Sequence, residues 1–183
     1  MKKIALLFII FFTSNVSGKC DDYSKLISNE GVGPIKFGMT LGDIKKVGFN
    51  IEKHNIKKGV QEYIHYNILG CDNKVLMYVV LNESEVVDVI GSHSKRFVTK
   101  EGAHVGLTYK ALLQLNSDGV FDCDVSVFSD CILSYVEPYV SFDFNASSVL
   151  KRCQQGFYQC DIKNFLDLPS FGFSVVDPKF MRR

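Results

Sequence analysis

The sequence predicts an α+β fold, in which short helices pack on one face of an antiparallel β-sheet and disulfide bonds cross-link the chain. Three observations lead to this prediction. A helix-start signature occurs twice, strand-like segments bounded by turn residues follow each copy, and the chain of 183 residues contains six cysteines. Short helices beside runs of antiparallel strands are typical of this class. We expect two related halves, over about residues 31–92 and 102–145.

The chain begins with the features of a secretory signal peptide. Two lysines precede the apolar run Ile4–Phe12, and small residues follow up to Gly18. A positive start, a short apolar segment and a small-residue exit are the three parts of such a peptide. The apolar run is shorter than the roughly 20 residues that cross a bilayer. We therefore expect cleavage near Gly18, no membrane span, and a single periplasmic domain over residues 19–183.

All six cysteines follow the predicted cleavage point, and an even number in an oxidising compartment predicts three disulfide bonds. Loop length favours the pairs Cys123–Cys131, Cys153–Cys160 and Cys20–Cys71, the last fastening the mature N-terminus. Other pairings stay open, because connectivity does not follow from sequence alone. A zinc site is the alternative, but intervals of seven and six residues between cysteines are wider than in the usual zinc motifs.

The charge balance of the domain is close to neutral. Removal of residues 1–18, which contain two lysines, leaves 19 basic and 20 acidic side chains. Proteins whose main partner is a nucleic acid carry a basic excess. We therefore expect no nucleic-acid partner.

A ten-residue stretch that begins at Gly38 has a counterpart 68 residues later, and both copies read G-[ML]-T-[LY]-x-x-[IL]-x-x-[VL]. The glycine permits a sharp exit from a strand. Thr40 and Thr108 are placed as helix N-caps, and apolar residues at spacing three form one buried stripe. Asp43, three residues after Thr40, predicts a near capping box with an acid in the first turn.

Strand-like segments follow each helix, the first of which is predicted to end at Gly48. The predicted strands are Val60–Leu69, Lys74–Leu81 and Glu85–Ser92 after the first helix, and Val120–Phe128, Cys131–Val136 and Tyr139–Phe144 after the second. Turns are predicted at 70–73, 129–130 and 137–138. We interpret 147–168 as a disulfide-tied helix or loop before a last strand near Phe171–Val176.

The Gly38-Met39-Thr40 opening of a short helix before antiparallel strands resembles the β-lactamase inhibitory protein and the small lipoprotein of the outer-membrane β-barrel assembly machinery. The segment Gly31–Thr40 is also similar to the start of many small exported bacterial proteins. The aromatic-rich contact surfaces of the first two families have no alignable counterpart here, so no functional residue is carried over. The resemblance implies a binding fold without catalytic machinery.

No motif in the chain indicates catalysis, a metal or a cofactor. Four histidines occur, at His54, His65, His93 and His104, and none forms an H-x-H or H-x3-H pair. No G-x-S-x-G elbow is present, and the acidic residues do not follow the spacing of a calcium-binding EF-hand. We therefore predict no catalytic residue, no metal site and no cofactor.

Charge is distributed unevenly along the chain. Between Lys110 and Lys151 there is no lysine or arginine, while six acidic residues are interspersed with aromatic ones. The first half instead carries a group of lysines at 45, 46, 53, 57 and 58. One interpretation is a solvated face on each half. The other is an acidic, aromatic surface that docks a cationic partner, since complementary charge speeds association and aromatic side chains anchor it.

These observations predict a periplasmic, non-catalytic binding protein, most simply an inhibitor or immunity protein that occludes a cationic cell-wall hydrolase or envelope toxin. The predicted contact residues are Asp122, Asp124, Asp130, Tyr135 and Tyr139. The alternative is a structural or assembly factor of the bacterial envelope. It would bind another periplasmic or outer-membrane protein through Phe37, Met39 and the lysines after the first helix. The identity of the protein partner and the oligomeric state stay open.

Overall fold

The computed structural model describes residues 24–58, 61–116, 118–124, 130–134, 139–145 and 162–179. They form a three-stranded sheet, an eight-stranded antiparallel sheet and two short α-helices. The fold is therefore α+β and dominated by antiparallel strands, as predicted. Several predictions fall on residues outside these ranges: Tyr135, the turn at 137–138, most of the element predicted over 147–168, and three of the six cysteines, Cys20, Cys153 and Cys160.

The chain enters the described region through a small sheet that the sequence did not predict. It consists of β1 (Ile27–Ser28), β2 (Gly31–Val32) and β3 (Ile35–Lys36), in that order. Gly33, between β2 and β3, has a φ of 58°, a backbone conformation that glycine adopts without a steric cost. The apolar residues of these short strands are fully buried, so the small sheet is part of the core.

Both predicted helix starts are confirmed. Helix α1 (Leu41–Lys46) begins after Thr40, whose Oγ1 accepts a hydrogen bond of 3.2 Å from the Asp43 N–H. The Asp43 carboxylate accepts one of 3.2 Å from the Thr40 N–H, which completes the capping box. Helix α2 (Tyr109–Leu115) begins after Thr108, whose Oγ1 accepts from the Ala111 N–H at 3.2 Å. Gly48, with a φ of 104°, follows the end of α1.

Four strands follow α1: β4 (Asn50–Lys58), β5 (Gln61–Leu69), β6 (Val75–Leu81) and β7 (Val87–Ser92). The last three confirm the strands predicted from sequence, to within two residues. Strand β4 was not predicted, because its lysines and exposed polar residues interrupt the apolar alternation that identifies a half-buried strand. It lies at an edge of the sheet, where lysines are common because they discourage pairing with other chains.

Four strands also follow α2: β8 (Val120–Asp124), β9 (Asp130–Ser134), β10 (Val140–Asn145) and β11 (Ser170–Val176). A short 3₁₀ helix over Ile162–Phe165 precedes β11. Strands β10 and β11 confirm the predictions closely. The turn predicted at 129–130 extends one residue too far, since Asp130 is already part of β9 and pairs with Asp124.

The eight strands lie in the order β4-β5-β6-β7-β11-β10-β9-β8. Each helix is therefore followed by a strand at an outer edge of the sheet, and the fourth strand after each helix lies at the centre. The two central strands, β7 and β11, are antiparallel to each other, with Gly91 opposite Ser174. All neighbouring strands in the sheet pair antiparallel.

The core lies on one face of this sheet, which we call the inner face. Ile44 of α1 and Leu112 of α2 are fully buried in it. They share the core with residues of β6, β7, β10 and β11, chiefly Met77, Ile90, Phe142 and Phe173. Phe142 and Phe173 are directly opposite in the β10–β11 pairing, with ring centroids 6.2 Å apart. Burial of apolar side chains such as these is the main stabilising contribution to a domain of this kind.

Two further expectations concern cross-links and the membrane. Cys71 takes part in a disulfide bond, but its partner is not among the described side chains, so the three predicted pairings stay predictions. In the ranges that the structure describes, no helix is long and apolar enough to cross a membrane.

Candidate functional site

The second face of the large sheet, which we call the outer face, is the candidate site. In β10, Val140, Phe142 and Phe144 are buried, whereas the alternating residues Ser141 and Asp143 are only half-buried. Both α-helices contribute side chains to the core on the inner face. Neither of the two described α-helices packs on the outer face.

A row of five rings crosses this outer face. Four of them belong to residues of β4, β5, β6 and β11, and the fifth belongs to His93, which directly follows β7. The successive ring centroids are 4.9 Å apart between His54 and His65, 5.2 Å between His65 and Tyr78, 6.4 Å between Tyr78 and His93, and 5.9 Å between His93 and Phe171. We call these five side chains the ring row. Phe171 is 42% exposed, and exposed aromatic side chains are the usual anchors of protein interfaces.

Two glycines let the ring row lie flat on the sheet. The ring of Tyr78 extends over Gly91 on the neighbouring strand, so closely that a Cβ at Gly91 would overlap it. His93 is placed similarly beside Gly172, where a Cβ would lie 2.8 Å from His93 Nδ1 and 3.1 Å from Asp143 Oδ2. Glycine inside a strand often marks such a close approach. The rings of Tyr78 and His93 therefore lie directly against the backbone of the neighbouring strands.

Hydrogen bonding and charge define the chemistry at the centre of the row. The Nδ1 atom of His93 lies 3.0 Å from the Phe171 carbonyl oxygen. A carbonyl can only accept, so Nδ1 donates in this contact. Burial raises the pKa of Tyr78 to about 12, and the negative charge of Asp143 adds to this effect. Tyr78 is therefore a neutral phenol near pH 7, beside a carboxylate.

At the other end of the row, burial lowers the pKa of His65, and the neighbouring His54 lowers it further. A hydrogen bond with the Asn67 side chain acts in the opposite direction. His65 is therefore predominantly uncharged near neutral pH.

Three of the predicted contact residues lie on strands at the far edge of the sheet. One of them is Asp122. It is opposite Ile132, which is in turn opposite Asp143, so these positions form one cross-strand row. Asp124 and Asp130 are directly opposite each other in the β8–β9 pairing. Asp122 thus continues the row that begins at Gly172 and Asp143, whereas Asp124 and Asp130 lie in the row of Asn145, two residues further along the strands.

The two predicted tyrosines have different outcomes. Tyr139 precedes β10, is half-buried, and accepts a backbone hydrogen bond of 3.2 Å from the Val176 N–H. Tyr135 lies outside the described residues. Sequence analysis missed the ring row itself. The alternation of apolar and polar residues in β10 indicates only that Asp143, beside the row, is on the side opposite the core.

A pocket near the turn between β6 and β7 is lined by Asn82, Glu83, Asp88, Asp177 and Lys179, together with Leu81 and Ser84. This lining contains carboxylates but neither histidine nor cysteine. Among the described residues no group of three or more histidine, cysteine, aspartate or glutamate side chains is arranged to hold a metal ion.

Comparison with known proteins identifies the fold but not a family. No family model matches the chain, and no curated protein matches it. The crystal structure of the uncharacterized protein yfeY from Escherichia coli is similar, with a TM-score of 0.55 and 10% sequence identity, over 82% of this chain and 98% of that chain. At this level of identity the similarity concerns the fold alone. The resemblance to the two families named above stays a prediction.

Proposed function

We propose that this chain is an exported, non-catalytic binding protein that docks a cationic protein on the outer face of its large sheet. In the form we favour, it is an inhibitor or immunity protein that occludes a cell-wall hydrolase or an envelope toxin. The observation that carries the proposal is the continuity of the ring row with the acidic positions. Tyr78 and His93 lie near Asp143, and Asp143 shares a cross-strand row with Asp122.

The register of the acidic strands supports a positively charged partner. Asp124 and Asp130 are directly opposite each other, with Asp122 two residues along β8. Like charges in directly opposite positions destabilise a strand pair. A lysine or arginine from a partner would offset that repulsion, and it would do so most at low salt. The acidic residues of β8 and β9 would thus select a cationic partner, and the ring row would supply apolar contact area.

The alternative, an envelope assembly factor that binds through the first repeat, has less support. Phe37 and Met39 are partly buried and pack against the core. The Met39 sulfur also accepts a hydrogen bond of 3.3 Å from the Lys36 N–H. These two side chains therefore serve the fold, which leaves mainly the lysines for a partner.

We also propose that the two halves arose by duplication. The outer face would then be formed by equivalent strands of both halves. The matching hydrogen bonds are Gly38 N–H to Val87 O (2.9 Å) and Val87 N–H to Met39 O (2.8 Å), and Gly106 N–H to Ser170 O (3.0 Å) and Ser170 N–H to Leu107 O (2.9 Å). In both halves the G-[ML]-T segment is thus held by the first residue of the fourth strand.

The pairing of the central strands supports the same proposal. When Val87 is equated with Ser170, Gly91 is equated with Ser174, and these two residues are opposite each other. The same equivalence converts the neighbouring pair Ser92–Phe173 into the pair Val175–Ile90, which lies on the other side of Gly91–Ser174. This is the relation expected for an approximate two-fold axis through the Gly91–Ser174 pair.

The function is tested with matched charge variants of the oxidised protein, residues 19–183, immobilised and exposed to envelope extract of its source. The test variant is Asp122→Lys with Asp124→Lys. The control is Glu83→Lys with Glu101→Lys, which makes the same change in net charge at exposed positions in turns. We expect one basic partner that the wild type and the control retain, that the test variant loses, and that high salt releases.

An activity assay then separates the inhibitor from the assembly factor. If the captured protein is a hydrolase or a toxin, its activity should fall in proportion to the amount of complex formed. Capture that the Asp122 and Asp124 substitutions leave unchanged would show that the acidic surface is not the docking site. An outer-membrane partner retained at high salt would favour the alternative.

A further inference from the structure

The hairpin of β4 and β5 extends past the rest of the large sheet. Strand β5 pairs with β4 from Gln61 to Leu69 but with β6 only from Tyr66 to Leu69. Its distal part is therefore a two-stranded ribbon. In this ribbon His54 and His65 are directly opposite each other, although ten residues separate them along the chain.

The two imidazoles are close enough to hold one metal ion. Their ring centroids are 4.9 Å apart and their planes differ by 24°. Two nitrogens at the usual distance of about 2.0 Å from a tetrahedral Zn²⁺ are about 3.3 Å apart. The rings are stacked, and a ring nitrogen lies about 1.1 Å from the centroid in the plane of the ring, so the two rings reach that nitrogen separation by rotating out of the stacked arrangement.

A third side chain is placed to orient one of the two rings. Asn67 lies two residues from His65 on β5, and therefore on the same face of the strand. The second ring nitrogen of a metal-binding histidine usually has a polar partner of this kind. Asn67 is placed to be that partner.

We propose that His54 and His65 form a cross-strand site for one divalent transition-metal ion, with water in the remaining positions. Imidazole nitrogen favours Cu²⁺, Zn²⁺ and Ni²⁺ over Mg²⁺ or Ca²⁺. The exposure of His54, on an edge strand, leaves access for the ion and its water ligands. This site has two protein ligands, and it does not depend on the proposed docking function.

The test is a calorimetric titration of the untagged protein with Zn²⁺, and separately with Ni²⁺, in a buffer that does not bind metals. His54→Asn is the main variant, because His54 is exposed and its loss should leave the fold unchanged by circular dichroism. His104→Asn is the control, since the Nδ1 of His104 bonds to the carbonyl oxygen of its neighbour Val105 at 2.9 Å, away from the hairpin.

We expect one ion per chain, with affinity reduced about tenfold or more in His54→Asn and unchanged in His104→Asn. Asn67→Ala should weaken binding by about tenfold while leaving both ligands in place. Equal affinity in the wild type and His54→Asn would overturn the proposal, as would the absence of any binding. Paramagnetic broadening of NMR signals by Ni²⁺ provides a second readout. If the signals that broaden first belong to residues outside β4 and β5, the proposed site is wrong.

Discussion

Tyr78 extends its ring over Gly91 of the adjacent strand, and this contact is possible only because position 91 has no side chain. The two residues are directly opposite in the β6–β7 pairing. The same packing removes the Tyr78 phenol from water and raises its pKa to about 12. The glycine therefore controls both the shape of the outer face and the ionisation of its central ring.

The first prediction tests this relationship by alkaline titration of Gly91→Ala. The new methyl group should displace the Tyr78 ring toward solvent, so that the phenol pKa falls from about 12 toward 10. Ultraviolet difference spectroscopy, with Tyr78→Phe as the reference, measures the change. Gly42→Ala is the control, because a Cβ there makes only an ordinary contact. An unchanged Tyr78 pKa in Gly91→Ala would contradict the ring placement.

The sign of the associated stability change follows from the same pKa. The folded protein keeps the Tyr78 proton up to about pH 12, whereas an unfolded tyrosine loses it near pH 10. The folded state binds more protons in that window, so the free energy of unfolding falls as pH rises through it. Urea denaturation should show a smaller decline for Tyr78→Phe than for the wild type. Parallel curves for the two proteins would argue against a buried phenol.

The second prediction concerns the two helix caps. Thr40→Ala and Thr108→Ala should each lower the free energy of unfolding by about 1 kcal/mol, because each removes a side-chain acceptor from a helix N-terminus. The Thr40 side chain is also the main cause of the low pKa of Asp43, about 2. In Thr40→Ala, NMR titration should therefore show the Asp43 pKa rising toward 3.8. Thr108→Ala, the internal control, should leave it unchanged.

The third prediction concerns the disulfide bonds. Cys123 and Cys131 are directly opposite in the β8–β9 pairing. Opposite residues in antiparallel strands have Cα atoms about 4.5–5.5 Å apart, which is within the range that a disulfide spans. We expect non-reducing peptide mapping to recover a Cys123–Cys131 peptide and to link Cys71 to Cys20. A peptide joining Cys71 to Cys123 or Cys131 would exclude both pairings.

The fourth prediction contrasts two aromatic residues on β11. Phe171 is 42% exposed, whereas Phe173 is fully buried between neighbouring strands. Phe171→Ala should weaken binding of the partner captured on the outer face at least about thirtyfold, as loss of an interface anchor worth about 2 kcal/mol does. Its thermal midpoint should stay close to that of the wild type.

Phe173→Ala is the matched comparison for this prediction. It should lower the free energy of unfolding by about 3–5 kcal/mol, because it leaves a cavity in the core. Differential scanning calorimetry separates the two effects. A large loss of stability in Phe171→Ala would mean that this ring serves the fold rather than a partner.

The local elements of this protein follow from its sequence because their causes are local. Thr40 and Thr108 identify both helix starts, since a cap depends on a side chain and a backbone N–H three residues later. The alternation of Val140, Phe142 and Phe144 with polar residues likewise identifies β10 and its buried side. Charged β4 escaped prediction because an edge strand needs little apolar surface.

The tertiary structure decided which distant residues meet. No spacing along the chain indicates that β11 lies between β7 and β10, and this insertion is what brings Phe171 beside His93 and Gly172 beside Asp143. The pairing of His54 with His65 depends in the same way on the register of a hairpin. Sequence determined the periodicity of each strand, whereas strand order and register, set by burial of the whole inner face at once, determined the candidate site.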